Sequence, residues 1–148
     1  MQLAQLNIAK AKYALDAPEF KDFVDNLDPV NAQAEASAGF VWRLKDDSGN
    51  ATGIGVEQAP DLLINMSVWT DVQSLKDFMF RTHHLPIMKR KQEWFYPSTE
   101  ATYVLWWVPD GHIPSLQEAF DRLTLLRAQG ETAQAFSFKQ VFAPESAG

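Results

Sequence analysis

Two segments far apart in the chain share a strict alternation of side-chain type, and this pattern constrains the fold more than any other feature. Residues 3–11, "LAQLNIAKA", direct Leu6 and Ile8 to one side and Gln5 and Asn7 to the other. Residues 62–69, "LLINMSVW", likewise separate an apolar set from a mixed polar and aromatic set: Ile64, Met66 and Val68 against Asn65, Ser67 and Trp69. A period of two is typical of β-strands. Both segments are therefore predicted to be strands of a sheet whose two faces differ in polarity.

Helical patterns follow both predicted strands. The segment "DAPEFKDFVDNL" carries apolar residues at helical spacing, and Pro29 is expected to kink or restart this helix because proline lacks the backbone N–H. After the strand at 62–69, Asp71 or Ser74 is predicted to cap a second helix that is broken near His83 and His84.

The rest of the chain predicts further strands and one more helix. Ser115 and Glu118 form the pattern of a capping box, and Gly130 is expected to end the helix that begins there. Apolar, β-branched or aromatic runs bounded by turn residues predict strands at 39–44, 101–108 and 135–142.

The order of these elements predicts an α+β fold of the ferredoxin-like split βαβ type, with an appended C-terminal helix and strand. At 148 residues the chain fits one domain, 1–148. Helices are expected to cover only one face of the sheet. The face that carries Asn7, Asn65 and Ser67 is then expected to pack on a partner sheet or to enclose a ligand.

Composition excludes several classes of function. The chain has no cysteine, so it holds no disulfide, thiolate nucleophile or cysteine-ligated metal. A formal net charge of −6 disfavours nucleic acid as a partner. The N-terminus lacks the pattern of a signal peptide, and no apolar run is long enough to span a membrane, so a cytoplasmic protein without a membrane partner is expected.

Several segments together resemble a bacterial domain-of-unknown-function family of the dimeric α+β barrel superfamily, distantly related to the antibiotic-biosynthesis monooxygenases. The segments that carry the resemblance span nearly the whole chain: "AQLNIAKAKY", "GFVWRL", "NMSVWTDVQSLKDFMFRTHH", "KQEWF", "YVLWWVPDGHIPSLQEAFDRL" and "AFSFK". The resemblance implies a homodimer in which the open faces of two sheets form a barrel. It implies no settled activity, because the superfamily includes cofactor-free oxygenases, haem enzymes, isomerases and ligand-binding domains.

The three histidines are the first candidates for chemistry. By resemblance to the haem-degrading members of the superfamily, His84, or its neighbour His83, would be a haem ligand; the alternative is a capping or surface role. His112 lies between a predicted strand and helix, where it would be a general acid or base or a structural residue of the turn. No histidine belongs to a metal-binding spacing, so no protein-only metal site is expected.

Amides, tryptophans and arginines are the candidates for ligand binding. Asn7, Asn65 and Trp106 resemble in type the residues with which cofactor-free oxygenases of the superfamily hold a phenolic or quinol-like substrate, although paired asparagines could equally fix a dimer interface. Trp42 and Trp94 are expected at a core, interface or pocket. Arg43 and Arg81 could each bind a substrate anion or pair with an acid.

These observations lead to a ranked set of hypotheses. The first is a homodimer that binds a small apolar or aromatic molecule in a cavity lined by Asn7, Asn65, Trp106 and His84, with cofactor-independent monooxygenase-like activity and His84 or His112 as the base. The second is a non-catalytic ligand-binding or structural dimer. The third is a haem protein that uses His84 or His83.

Overall fold

A computed structural model of the protein describes residues 1–13, 17–25, 27–44, 62–81 and 91–144, with the backbone alone at residues 27, 80, 81, 91 and 92. The strands are β1 (Gln2–Lys10), β2 (Phe40–Arg43), β3 (Leu62–Trp69) and β4 (Tyr103–Val108). The helices are α1 (Lys21–Asp25), α2 (Leu27–Ala36), α3 (Val72–Arg81), α4 (Lys91–Trp94) and α5 (Leu116–Gln129), and a single 3-10 turn, Pro18–Phe20, precedes α1.

The four strands form one sheet in the order β2-β3-β1-β4, and each neighbouring pair is antiparallel. The predicted mixed α+β class is confirmed, because helices connect β1 to β2 and β3 to β4. The two strands with alternating side chains, β1 and β3, lie at the centre of the sheet. Along β1 and β3 the alternation seen in the sequence sets the two faces, so even-numbered residues share one face and odd-numbered residues share the other.

The even face is apolar and is packed under α5. Residues of β1, β3 and β4 form a buried cluster with Ala119, Leu123 and Leu126 of α5. The buried strand residues of this cluster are Ala4, Leu6, Ile8, Ile64, Met66, Val68, Val104, Trp106 and Val108.

The odd face is covered by α2 and α3. Ala34 of α2 and Leu75 and Phe78 of α3 are buried with Leu3 and Trp69 of the sheet. The expectation that helices cover only one face is therefore wrong, because α5 returns across the even face while α2 and α3 lie on the odd one.

Of two further predictions, the strand at 135–142 is wrong, whereas the restart of the helix that carries Pro29 is confirmed. Residues 135–142 form no strand; Phe136 makes a single antiparallel bridge to Leu105 on the outer edge of β4. The helix that carries Pro29 restarts at Leu27, so that the proline lies in the first turn of α2, where backbone N–H groups lack intrahelical partners in any case. Within the described ranges, no helix has the length and apolar character needed to cross a bilayer.

Candidate ligand-binding site

The polar side chains of the odd face lie side by side on the two central strands. Gln5 is in register with Ser67, and Asn7 is in register with Asn65. Register partners of an antiparallel pair project from the same face at neighbouring positions. We call these four residues, Gln5, Asn7, Asn65 and Ser67, the polar belt.

Hydrogen bonds connect three belt residues to a buried indole. The Gln5 side-chain amide donates to Asn65 Oδ1 at 2.7 Å and to Ser67 Oγ at 2.8 Å. Ser67 Oγ also accepts from Trp69 Nε1 at 2.8 Å. Ser67 Oγ thus accepts two hydrogen bonds, and this connected network fixes the rotamers of all the side chains involved.

The network leaves hydrogen-bonding groups unused. In the described part of the chain, Gln5 Oε1 accepts no hydrogen bond, the Ser67 hydroxyl donates none, and the Asn7 side chain has no partner. Gln5 and Ser67 are each only 7% exposed. A buried polar group without a partner costs roughly 1–3 kcal/mol, so these groups are suited to a ligand that supplies the missing partners.

Apolar aromatic clusters border the belt at both ends. On one side Trp69 stacks on Phe78, with ring centroids 5.3 Å apart, and meets the edge of Phe40. On the other side Trp94 and Phe20 are buried in a separate cluster that includes Ala9 and Leu63, the next register pair along the odd face. Along the odd face, the two polar register pairs of the belt therefore lie between two apolar pairs, Leu3 with Trp69 and Ala9 with Leu63.

The belt is electrically neutral, and the nearest cation along its row is already paired. Arg43 is the register partner of Ser67 on β2, and its Nε donates to Glu35 Oε1 of α2 at 2.8 Å. Of the two roles expected for Arg43, pairing with an acid is the one observed. Because the amides and hydroxyl of the belt carry no charge, the belt favours an uncharged ligand.

His112 belongs to a different cluster, on the opposite face of the sheet. Its Nε2 lies 2.7 Å from Glu118 Oε1, and Glu118 Oε2 accepts from Trp106 Nε1 at 2.8 Å. Trp106 is fully buried on the even face. The carboxylate of Glu118 therefore satisfies a core indole and contacts an exposed histidine at the start of α5.

The structure brings together only part of the set predicted from the sequence. Asn7 and Asn65 are register partners, whereas Trp106 and Trp42 pack on the even face and Trp94 lies in the aromatic cluster beyond the belt. The side chain of Arg81, together with His83 and His84, lies outside the described residues. The proposed haem site therefore stays a prediction.

The sequence placed Ser67 on the face expected to meet a partner or a ligand, but it did not single out Gln5, Ser67 or Trp69 as binding residues. The signal was present, because each has the same parity as Asn7 or Asn65 on its strand. The described ranges contain no group of three or more histidine, aspartate or glutamate side chains placed to hold a metal ion.

Comparison with known proteins identifies a family but no activity. The family model described as "Domain of unknown function (DUF3291)" matches residues 2–148. No curated protein sequence matches the chain. Among solved structures, the chain is similar to SnoaB, a cofactor-independent oxygenase from Streptomyces nogalater, with 16% identity and a TM-score of 0.47 over 77% of this chain and 98% of that one. So distant a likeness does not extend to the side chains of the belt.

Proposed function

Because the chain belongs to the family of unknown function DUF3291, whose description names no reaction, we propose a function from the geometry of the belt: binding of a small, uncharged, ring-containing organic molecule. The observation that carries the proposal is the buried Gln5–Ser67 network, which retains an unused acceptor and an unused hydroxyl donor between two aromatic clusters. Pockets for small molecules combine mostly apolar walls with a few fixed polar groups in this way.

The unused groups define the polar part of the ligand. Gln5 Oε1 is an acceptor and requires a ligand hydroxyl or N–H, whereas the Ser67 hydroxyl and the side-chain N–H groups of Asn65 suit a ligand carbonyl or phenol oxygen. A ring that bears a hydroxyl beside a carbonyl, as in phenols and quinols with an oxygen substituent, meets both requirements. Asn65 is exposed while Gln5 is buried, so the ligand is expected to enter from the side of Asn65.

Oxygenation without a cofactor is the reaction that this arrangement would support. Neutral donors such as Asn65 and Ser67 stabilise the oxyanion that forms when the ring loses a proton, and the resulting carbanion reacts with O₂. The overall change, CH₂ + O₂ → C=O + H₂O, needs no external reductant. His112 lies across the sheet from the belt, so of the two bases expected from the sequence, His84 and His112, this proposal keeps His84.

A non-catalytic binding protein is the second candidate, and the neutrality of the belt favours it. Among the described belt residues none is ionisable, so none could remove a proton. Oxygen uptake with phenols and quinols separates the two candidates. Uptake above that of heat-denatured protein supports the oxygenase, whereas saturable binding without uptake supports the binding protein.

Binding itself is tested by NMR on the indole N–H of Trp69, which donates to Ser67 at the centre of the network. A ligand from the same panel is expected to shift this resonance saturably. Asn65→Ala removes an exposed amide that contacts Gln5, and it should weaken binding roughly tenfold, as expected for the loss of about one hydrogen bond.

The matched control is Gln117→Ala, which removes an exposed amide on α5, beside the even face. Its affinity for the ligand is expected to equal that of the unchanged protein. The proposal fails if no member of the panel shifts the Trp69 resonance, or if Asn65→Ala and Gln117→Ala bind equally well.

A further inference from the structure

A cavity lies at the outer edge of the sheet, where β4 begins. It is a surface cleft of about 460 Å³ between the residues that lead into β4, the last turn of α5 and the segment that follows α5. Its lining includes four ionisable side chains besides Tyr103, and these are Glu100, Arg127, Glu131 and Lys139.

Both carboxylates of the cleft already have partners. Glu131 accepts two hydrogen bonds from Ser137, from its backbone N–H and from its hydroxyl, each at 2.6 Å. Because Ser137 is buried, these two hydrogen bonds hold the segment after α5 in a fixed position. Glu100 Oε2 lies 3.4 Å from Arg127 Nη1.

Hydrogen-bond donors, in contrast, are left over. Lys139 Nζ has no partner in the described ranges, and the hydroxyl of Tyr103 accepts from the Phe138 N–H at 3.2 Å but donates to no described group. The Nε–H of Arg127 donates to the Ala101 carbonyl at 2.8 Å, and Nη1 faces Glu100. The other guanidinium N–H groups remain available to a ligand.

We propose that this cleft binds a small carboxylate anion, held by Lys139, Tyr103 and Arg127. Three kinds of donor converge on one cavity, and hydrogen bonds between a charged donor and a carboxylate are about twice as strong as neutral ones. The apolar part of the anion lies against Ala101 and Leu126, which also line the cleft. Tyr103 is the register partner of Asn7, so the cleft and the belt are neighbours, but the proposal uses no belt residue.

Titration with benzoate, followed by ¹H–¹⁵N NMR of the full-length protein, tests the proposal. Benzamide serves as the uncharged probe of nearly the same shape, and sodium chloride keeps the ionic strength constant. Benzoate is expected to shift the backbone amides of Tyr103, Ser137 and Lys139 saturably, and to bind at least about fivefold more tightly than benzamide.

Lys139→Gln retains a flexible polar side chain at an exposed position and removes its charge, and Tyr103→Phe keeps the ring on Phe138 and removes the hydroxyl. Each is expected to weaken benzoate binding about fivefold or more. The matched control is Lys76→Gln, a lysine whose Nζ lies over Phe138 and outside the cleft lining, and it should bind as the unchanged protein does. Equal binding of benzamide, equal binding by Lys139→Gln, or the absence of saturable shifts at the cleft amides would each overturn the proposal.

Discussion

Gly39 shows how a single hydrogen atom in place of a side chain lets two elements meet. The residue precedes β2 with φ at +84°, and its carbonyl accepts from the Thr70 N–H at 2.8 Å. A Cβ atom built at this position would overlap the Ser74 side chain of α3 and lie 2.7 Å from Thr70 Oγ1. Gly39 therefore sets the distance at which β2 passes the start of α3.

Replacing Gly39 by alanine is expected to destabilise the protein for two reasons, positive φ and overlap with Ser74. Gly111 separates these reasons, because it has the same φ of +84° and nothing within 4 Å of its Cβ position. Positive φ costs an alanine about 1–2 kcal/mol, and overpacking adds roughly 1–3 kcal/mol. In urea denaturation, the free energy of unfolding of Gly39→Ala should therefore be lower than that of Gly111→Ala by the overpacking contribution, roughly 1–3 kcal/mol.

Equal free energies of unfolding for the two variants would mean that Ser74 moves aside at no cost. The double variant Gly39→Ala, Ser74→Ala then gives the decisive comparison, since it removes the hydroxyl that the new methyl group meets. Partial recovery of stability in the double variant is the outcome that supports a steric origin.

At the scale of elements, the start of α3 depends on one carboxylate. Asp71 Oδ1 accepts from the Ser74 N–H at 2.7 Å, as expected for an N-cap residue. This backbone hydrogen bond lowers the pKa of Asp71 below its ordinary value, against a smaller opposing effect of desolvation. The ionised form is thus the one that the folded helix favours.

The sign of the pH dependence follows from that direction. Because the pKa of Asp71 is lower in the folded protein than in the unfolded chain, its stabilising contribution is present above the unfolded pKa and is lost as pH falls through the folded pKa. Asp71→Ala should cost about 1 kcal/mol of unfolding free energy at neutral pH. Asp71→Asn keeps an acceptor and should remain close to the unchanged protein at neutral pH, with less loss of stability in acid.

Urea denaturation at neutral pH and at pH values below the ordinary aspartate pKa checks both statements. The capping role is refuted if Asp71→Ala is as stable as the unchanged protein at neutral pH. A loss of stability in acid that is identical in Asp71→Asn and in the unchanged protein would assign the acid sensitivity to other carboxylates.

Strands and caps could be predicted from the sequence because their signals are local. The alternation of Gln5 and Asn7 with Leu6 and Ile8 identified the two faces, and the register of β1 with β3 places each set as expected. Of the two caps predicted for α3, Asp71 and Ser74, Asp71 is the one observed. These features depend on neighbours one to four residues away, where backbone geometry leaves few choices.

Features that depend on tertiary packing could not be predicted in the same way. The pair Ser115 and Glu118 indicated a capping box, yet only the Ser115 hydroxyl caps the helix, whereas Glu118 binds Trp106 and His112. Residues 135–142 have strand-like composition but make only two isolated bridges, from Phe136 to Leu105 and from Ala135 to Thr132. In both cases a contact distant in sequence decided the outcome, and no local pattern encodes it.

At the scale of the molecule, the two halves of the even face differ in how the chain covers them. Helix α5 packs against β4 and β1, and the residues beneath it are buried. On the side of β2, Trp42 and Leu44 pack on the same cluster but remain half-buried. The homodimer implied by the family resemblance stays a prediction, and this half of the even face is the surface that a second copy would cover.

A second copy seated on Trp42 would bury an aromatic anchor of the kind that dominates protein interfaces. We expect light scattering after gel filtration to show a dimer, and we expect Trp42→Lys to raise the dimer dissociation constant roughly tenfold or more, because a lysine in an apolar interface loses its hydration without a partner. Tyr96→Lys is the matched control, since Tyr96 is 51% exposed and lies outside the even-face cluster, beside Lys10 and Lys12.

Circular dichroism in the near ultraviolet verifies that Trp42→Lys is folded, so that a change in mass can be assigned to assembly. A monomer for the unchanged protein at every concentration would refute the dimer. A dimer that persists in Trp42→Lys but dissociates in Tyr96→Lys would place the interface away from the even face. Under the expected outcome, dissociation of Trp42→Lys should leave ligand binding at the polar belt intact, because the belt lies on the odd face and Trp42 packs on the even face.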